Sequence, residues 1–93
     1  MGLHLTIIAG ETSGDFLGAR LIDSLRRQVP DITLSGVGGI EMTKAGIQSV
    51  FPMEDIAVMG LQQILPRLKL IYQRINETVE SIIQSNTDAV VFI

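Results

Sequence analysis

The sequence predicts an α/β fold, a Rossmann-like parallel sheet with flanking helices. Two apolar runs, residues 5–9 and 89–93, have the length and composition of buried strands. Between them, apolar residues recur at three- and four-residue steps, which is the period of a helix. Strands that alternate with helices form βαβ crossovers, and these give a parallel sheet with ligand sites at the carboxyl ends of its strands.

The predicted elements alternate along the chain. They are a strand at 5–9, a helix at 15–29, a strand at 32–35, a short helix at 41–45, an extended piece at 49–51, a broken helical turn at 53–60, a long helix at 61–85 and a strand at 89–93. Thr12 or Ser13 can cap the first helix, and Pro30 ends it. One face of this helix carries Leu17, Leu21, Ile22, Leu25 and Val29.

Charge and composition narrow the classes of protein. The 93 residues have a net charge of −3, and no basic track is present for nucleic-acid phosphates. There is no cysteine, so no disulfide or thiolate metal site forms, as suits a reducing cytoplasm. No apolar run approaches the roughly 20 residues of a membrane-spanning helix. Because the last predicted strand is apolar and ends the chain, we expect these residues to be the front of a longer protein.

The first glycine loop, residues 10–15, is the strongest candidate for a functional site. It reads GETSGD and joins the first strand to the first helix, where backbone N–H groups and the helix dipole favour polar ligands. It lacks the lysine of a P-loop and the glycine spacing of a dinucleotide fingerprint. Glu11 directly follows the strand and is the best candidate for chemistry, although it can equally counter the helix dipole. Ser13 can bind a ligand or cap the helix, and a structural role is favoured for Asp15.

Two other features have a functional and a structural interpretation. The second glycine loop, residues 36–39, holds three glycines in four positions, which favours a ligand over a simple turn. Gly18 is interpreted as allowing the first helix to pack closely on the sheet, and His4 as a bystander. In the long helix, Leu68, Ile71 and Tyr72 lie near Arg67 and Lys69, a mixture that fits either a core face or contact with an anionic membrane.

The two glycine loops, Ala57-Val58-Met59-Gly60 and the closing segment 88–93 resemble the N-terminal region of the lipid-A-disaccharide synthases. The resemblance covers essentially the whole chain. It implies a glycosyltransferase of the two-domain GT-B type that associates with a membrane. Residues 1–93 would then be part of the N-terminal, acceptor-side domain, with the donor-binding C-terminal domain outside this chain.

The resemblance also implies a reaction. Such enzymes join UDP-2,3-diacylglucosamine to 2,3-diacylglucosamine 1-phosphate (lipid X), form a β-1,6 linkage and release UDP, without a metal or other cofactor. They serve lipid A synthesis in Gram-negative bacteria, on the cytoplasmic face of the inner membrane. Inverting transfer needs a carboxylate that takes the proton of the attacking hydroxyl. The family's favoured base is an aspartate expected beyond residue 93, so these residues alone are predicted to be inactive.

The family's site residues carry over by position. Glu11 matches a glutamate of the active-site cleft and would assist the base. Substrate contact is expected at Gly10, Ser13, Gly14, Gly38, Gly39 and Met59, and membrane contact at Ile64, Leu65, Leu68, Ile71 and Tyr72. Two alternatives stay open: another nucleotide-sugar enzyme of the same architecture, which would need no apolar patch, and a stand-alone α/β binding module.

Overall fold

A computed structural model describes residues 2–56, 66 and 68–93. Its elements are, in chain order, β1 (His4–Ile8), α1 (Thr12–Gln28), β2 (Thr33–Val37), α2 (Ile40–Lys44), a 3-10 turn (Met53–Asp55), α3 (Leu68–Gln84) and β3 (Ala89–Phe92). The described strands form one parallel sheet in the order β2-β1-β3. The predicted α/β fold with a parallel sheet and flanking helices is therefore confirmed.

The core lies around the central strand β1. The residues of the core are almost completely buried. They are Ile7, Ala9, Ile22, Val37, Met42, Ile47, Phe51 and Met53. Side chains alternate between the two faces of a strand, so Ile8 and Phe92, which are register partners, lie together on one face of the sheet. On that face they and α3 border an apolar cavity of about 290 Å³.

Helix α1 begins three residues earlier than predicted, and its buried face includes part of the predicted one, since Ile22 is buried and Leu21 and Leu25 pack against the core. Thr12 and Ser13 lie inside its first turn, so neither is the N-cap, a position that Glu11 occupies. The buried residues include Gly14, Gly18 and Ile22. Leu17, predicted to lie on the core face, is 56% exposed. Gly14 and Gly18 have no side chain, so neighbouring parts of the protein can pack closely against α1 at these two positions.

The second glycine loop is partly strand. Gly36 and Val37 belong to β2, and Gly36 has a φ of 148°. A Cβ built on Gly36 would lie 1.8 Å from the carbonyl oxygen of Ile7, so only glycine fits here. The strand predicted at 49–51 is reduced to a single bridge between Ser49 and Gly36. Gly46, with a φ of 112°, follows α2 as predicted.

The last predicted helix and strand are both present in the described part of the chain. Of the broken turn at 53–60, the structure describes the 3-10 turn; residues 57–65 and 67 lie outside the described part of the chain. Helix α3 runs over 68–84, and no residue in it is fully buried. Strand β3 pairs with β1 from Ala89 to Phe92.

Candidate functional site

The first glycine loop lies at the carboxyl ends of β1 and β3. Strand β2 pairs with one edge of β1, and β3 pairs with the opposite edge. The order in which strands are added to the sheet therefore reverses direction beside β1. In open parallel sheets, ligands bind at this point of reversal. A Cβ built on Gly14 would lie 3.0 Å from the carbonyl oxygen of Ile93 and 3.5 Å from the Cβ of Ala9. The loop therefore packs against the ends of both strands.

Glu11 presents an exposed carboxylate at this edge. Its backbone is extended, with φ −155° and ψ 169°, and its side chain makes no capping bond to α1. Ser13 Oγ donates a hydrogen bond to Glu11 Oε1 at 2.8 Å. The hydroxyl predicted as a cap or ligand contact thus orients the carboxylate, which stays open to solvent.

Gly10 and Gly14 differ in how closely neighbouring atoms surround them. Gly14 is held by the strand ends, whereas a Cβ built on Gly10 would meet no atom within 4 Å. Packing therefore gives no reason for glycine at position 10. Close approach of a ligand to the loop is the reason that the sequence offered, and it stays a prediction.

Asp15 is the N-terminal cap of α2, although it belongs to α1. Its Oδ1 accepts the backbone N–H groups of Gly39 and Met42 at 2.8 and 2.9 Å, and its Oδ2 accepts that of Glu41 at 3.0 Å. The side chain is 3% exposed. The structural role predicted for Asp15 is confirmed, but its partners lie on the second glycine loop and α2 and not in its own helix turn.

The N–H groups of the second glycine loop are already bonded. Gly38 N–H donates to Ser49 Oγ at 3.1 Å, and Gly39 N–H donates to Asp15. Cβ atoms on Gly38 and Gly39 would meet Met42 at 2.6 Å and Asp15 at 2.8 Å, respectively. Close packing therefore explains these glycines, and a substrate would contact the loop by its surface.

That surface borders two adjoining cavities of about 530 and 400 Å³, which we call the edge groove. Both cavities are lined by Gly39, Ile40, Met53 and Glu54. The larger also reaches Lys44, and the smaller reaches Thr12 of α1. Of these lining residues, Gly39 was predicted as a substrate contact. The others were not, because the sequence indicated only an extended piece at 49–51 and a broken helical turn at 53–60.

Gly18 and His4 have partners that the sequence did not indicate. A Cβ on Gly18 would lie 2.7 Å from Met42 Sδ, so this glycine admits α2, and not the sheet as predicted. His4 Nε2 lies 3.0 Å from Ser35 Oγ, and that hydroxyl is 3.1 Å from Thr6 Oγ1. Thr6 also bonds Thr87 at 2.6 Å. His4 is therefore part of a polar chain that joins β1 to β2 and to Thr87, two residues before β3, away from the edge groove.

The predicted membrane patch is described in part. Met59, Ile64 and Leu65 lie outside the described residues. Leu68 and Tyr72, one turn apart on α3, are 51% and 68% exposed, and Ile71 is half-buried. The exposed apolar stripe continues through Ile75, Val79 and Ile83. Within residues 2–56 and 68–93, the helices fall short of the length and hydrophobicity that crossing a bilayer requires.

Residues 5–93 match the family model described as lipid-A-disaccharide synthetase. The chain belongs to this family. A lipid-A-disaccharide synthase of Gluconobacter oxydans is 47% identical over 92 residues, 99% of this chain and 22% of that protein. One of Rhodospirillum centenum is 45% identical over 98% of this chain and 23% of its own length. A probable mitochondrial lipid-A-disaccharide synthase of Arabidopsis thaliana is 42% identical over 96% of this chain and 20% of its own.

The chain thus spans less than a quarter of the length of the curated relatives it matches. Both glycine loops and the exposed stripe of α3 fall within the part of the family that these residues represent. The family resemblance that the two loops predicted is confirmed.

Proposed function

We propose that the protein is an inverting glycosyltransferase that joins UDP-2,3-diacylglucosamine to 2,3-diacylglucosamine 1-phosphate. The oxygen of the acceptor 6-hydroxyl bonds to C1 of the donor sugar, the bond from C1 to the UDP oxygen breaks, and a carboxylate takes the proton. UDP leaves, and a β-1,6 disaccharide forms. The observation that carries this proposal is the family match over residues 5–93, together with an exposed Glu11 at the reversal point of the sheet.

In this proposal the described residues form the acceptor side of the site. The edge groove adjoins the first glycine loop through Thr12 and Asp15, and Lys44 contributes a cation to its wall, where an acceptor phosphate is favoured. Glu11 orients the acceptor hydroxyl or shares its proton. The main base and the donor-binding domain are assigned to parts of the protein outside these 93 residues.

Glu11→Gln in the protein expressed from its complete reading frame tests the site. The amide keeps the shape of the side chain but accepts no proton, so we expect kcat for UDP release to fall about 10- to 100-fold, less than for loss of a sole general base. Ser13→Ala should cost only a few-fold, because the carboxylate remains. Glu80→Gln on the exposed side of α3 is the matched control. Unchanged turnover in Glu11→Gln would remove Glu11 from the chemistry.

Association with the inner-membrane surface is proposed for the start of α3. Leu68 and Tyr72 are exposed on one face, beside the cationic Lys69. Tyr72→Glu should lower co-sedimentation with anionic phospholipid vesicles several-fold, because it replaces an apolar ring of the patch by a carboxylate, which disfavours burial among lipid chains. Gln73→Glu adds the same charge at the next exposed position and should change binding less. Equal effects of the two substitutions would argue for simple charge repulsion and against a seated apolar patch.

A further inference from the structure

Arg74 of α3 joins this helix to the chain segment 51–55. Its Nε and Nη2 donate to Asp55 Oδ2 at 2.8 and 2.6 Å, and its Nη1 reaches the Glu77 carboxylate at 2.9 and 3.0 Å. Its Cζ lies 5.3 Å from the centre of the Phe51 ring. The hydrogen bonds that Arg74 donates to Glu77 and Asp55 raise its pKa above the usual value, so the side chain stays a cation wherever the protein folds.

The segment that Arg74 contacts forms a wall of the edge groove. Phe51 is 5% exposed and borders both the larger groove cavity and the apolar cavity beneath α3. Asp55 ends the 3-10 turn, whose Met53 and Glu54 line both groove cavities. The Cε of Met53 lies 3.0 Å from where a Cβ on Gly39 would stand. Contacts therefore run without a break from α3 to the second glycine loop.

The turn itself is too short to hold this position by its own hydrogen bonds. It has three residues, and the N–H groups of Asp55 and Ile56 donate to the carbonyls of Pro52 and Met53. Isolated 3-10 turns have poor hydrogen-bond geometry, and short helical segments depend on tertiary contacts. Arg74 supplies such a contact from the longer helix α3. Two of its N–H groups donate to one Asp55 oxygen, and its guanidinium lies over the face of the Phe51 ring.

We propose that Arg74 is a positioning residue for the acceptor-binding groove, which it serves by holding segment 51–55 as the groove wall. The inference rests on the proposed function, because the groove is assigned there to the acceptor. Arg74 touches no reacting atom in this scheme. Its removal should weaken acceptor binding and leave the chemical step largely intact.

The kinetic test uses the protein expressed from its complete reading frame. In Arg74→Gln and Asp55→Asn we expect the acceptor KM to rise about tenfold while kcat changes less than about threefold, since ground-state binding is lost. The double variant should be no worse than Arg74→Gln alone, because Arg74→Gln already removes the interaction with Asp55. Arg74→Lys should recover part of the affinity through a single ammonium. Glu77→Gln, which leaves the Asp55 bond in place, is the control.

Amide hydrogen exchange supplies a readout independent of activity. The amides of Asp55 and Ile56 should exchange faster in Arg74→Gln and Asp55→Asn than in Glu77→Gln or the wild type. An unchanged acceptor KM in Arg74→Gln, or a fall in kcat alone, would overturn the inference while the proposed function stands. No UDP release by the wild type would instead refute the proposed function, and exchange at these two amides would then decide whether Arg74 holds the wall. If Arg74→Gln fails to fold, Arg74→Lys and Asp55→Asn decide the result by the same measurements.

Discussion

Removal of the Asp15 carboxylate should destabilise α2 and the second glycine loop. Asp15 accepts three backbone N–H bonds at 2.8 to 3.0 Å, of which that of Met42 is fully buried. A hydrogen bond to a charged group contributes about 1.5–3 kcal/mol, and a buried donor left unpaired costs its full desolvation. Because Gly39 and Glu41 can regain bonds to water, we expect Asp15→Ala to lower the free energy of unfolding by about 3–5 kcal/mol.

The side-chain amide of Asp15→Asn should give an intermediate result. Its carbonyl oxygen can still accept from Gly39 and Met42, but its NH₂ group then faces the N–H of Glu41. We therefore expect Asp15→Asn to lower the free energy of unfolding by about 2 kcal/mol. Urea unfolding with linear extrapolation measures both values, and Asp23→Asn on the exposed side of α1 should stay within about 0.5 kcal/mol of the wild type. Asp15→Ala within 1 kcal/mol of that control would refute the capping role.

Two further substitutions test the sheet. Gly36→Ala places a Cβ against a β1 carbonyl oxygen at a φ of 148° and should prevent folding, as judged by soluble yield and circular dichroism, whereas Gly10→Ala, with open space around its Cβ, should fold normally. A soluble, cooperatively unfolding Gly36→Ala protein would contradict the close approach of the strands. Thr6→Val removes the hydrogen bonds to Ser35 and Thr87, of which Ser35 keeps His4 as a partner, and should lower the free energy of unfolding in urea by about 1–3 kcal/mol. Thr33→Val on exposed β2 surface is its control, and equal effects would discount the polar chain.

The order of helices and strands could be predicted because its signals are local. Apolar runs, helical periodicity, Pro30 and Gly46 set where elements begin and end, and each acts over a few residues. The pattern placed Ile22 correctly on the buried face of α1 but not the full extent of that face. A hydrophobic pattern favours Leu17, whereas the sheet and α2 approach the side where Gly14 and Gly18 offer the least bulk.

The candidate site was predicted only where its residues adjoin a strand end. Glu11 follows β1 directly, so its place at the carboxyl edge is a consequence of the fold. Asp15 bonds residues 24 to 27 positions away, and Arg74 bonds one 19 positions away. Neither distance has a sequence period. A structural role was predicted for Asp15 but without these partners, and no role was predicted for Arg74. Their roles emerge only when the helices are placed in space.

The sheet order also has a consequence for how the protein folds during its synthesis on the ribosome. Of the described strands the central one, β1, is synthesised first and its second neighbour, β3, last: the His4 N–H donates to Asp88, 84 positions along the chain. At a synthesis rate of about 5–20 residues per second, one edge of β1 stays unpaired for seconds after β2 has emerged. An open edge of an apolar strand is a template for pairing with other chains. The nascent protein is therefore most exposed to aggregation, and most in need of a chaperone, during the interval in which the long third helix is being translated.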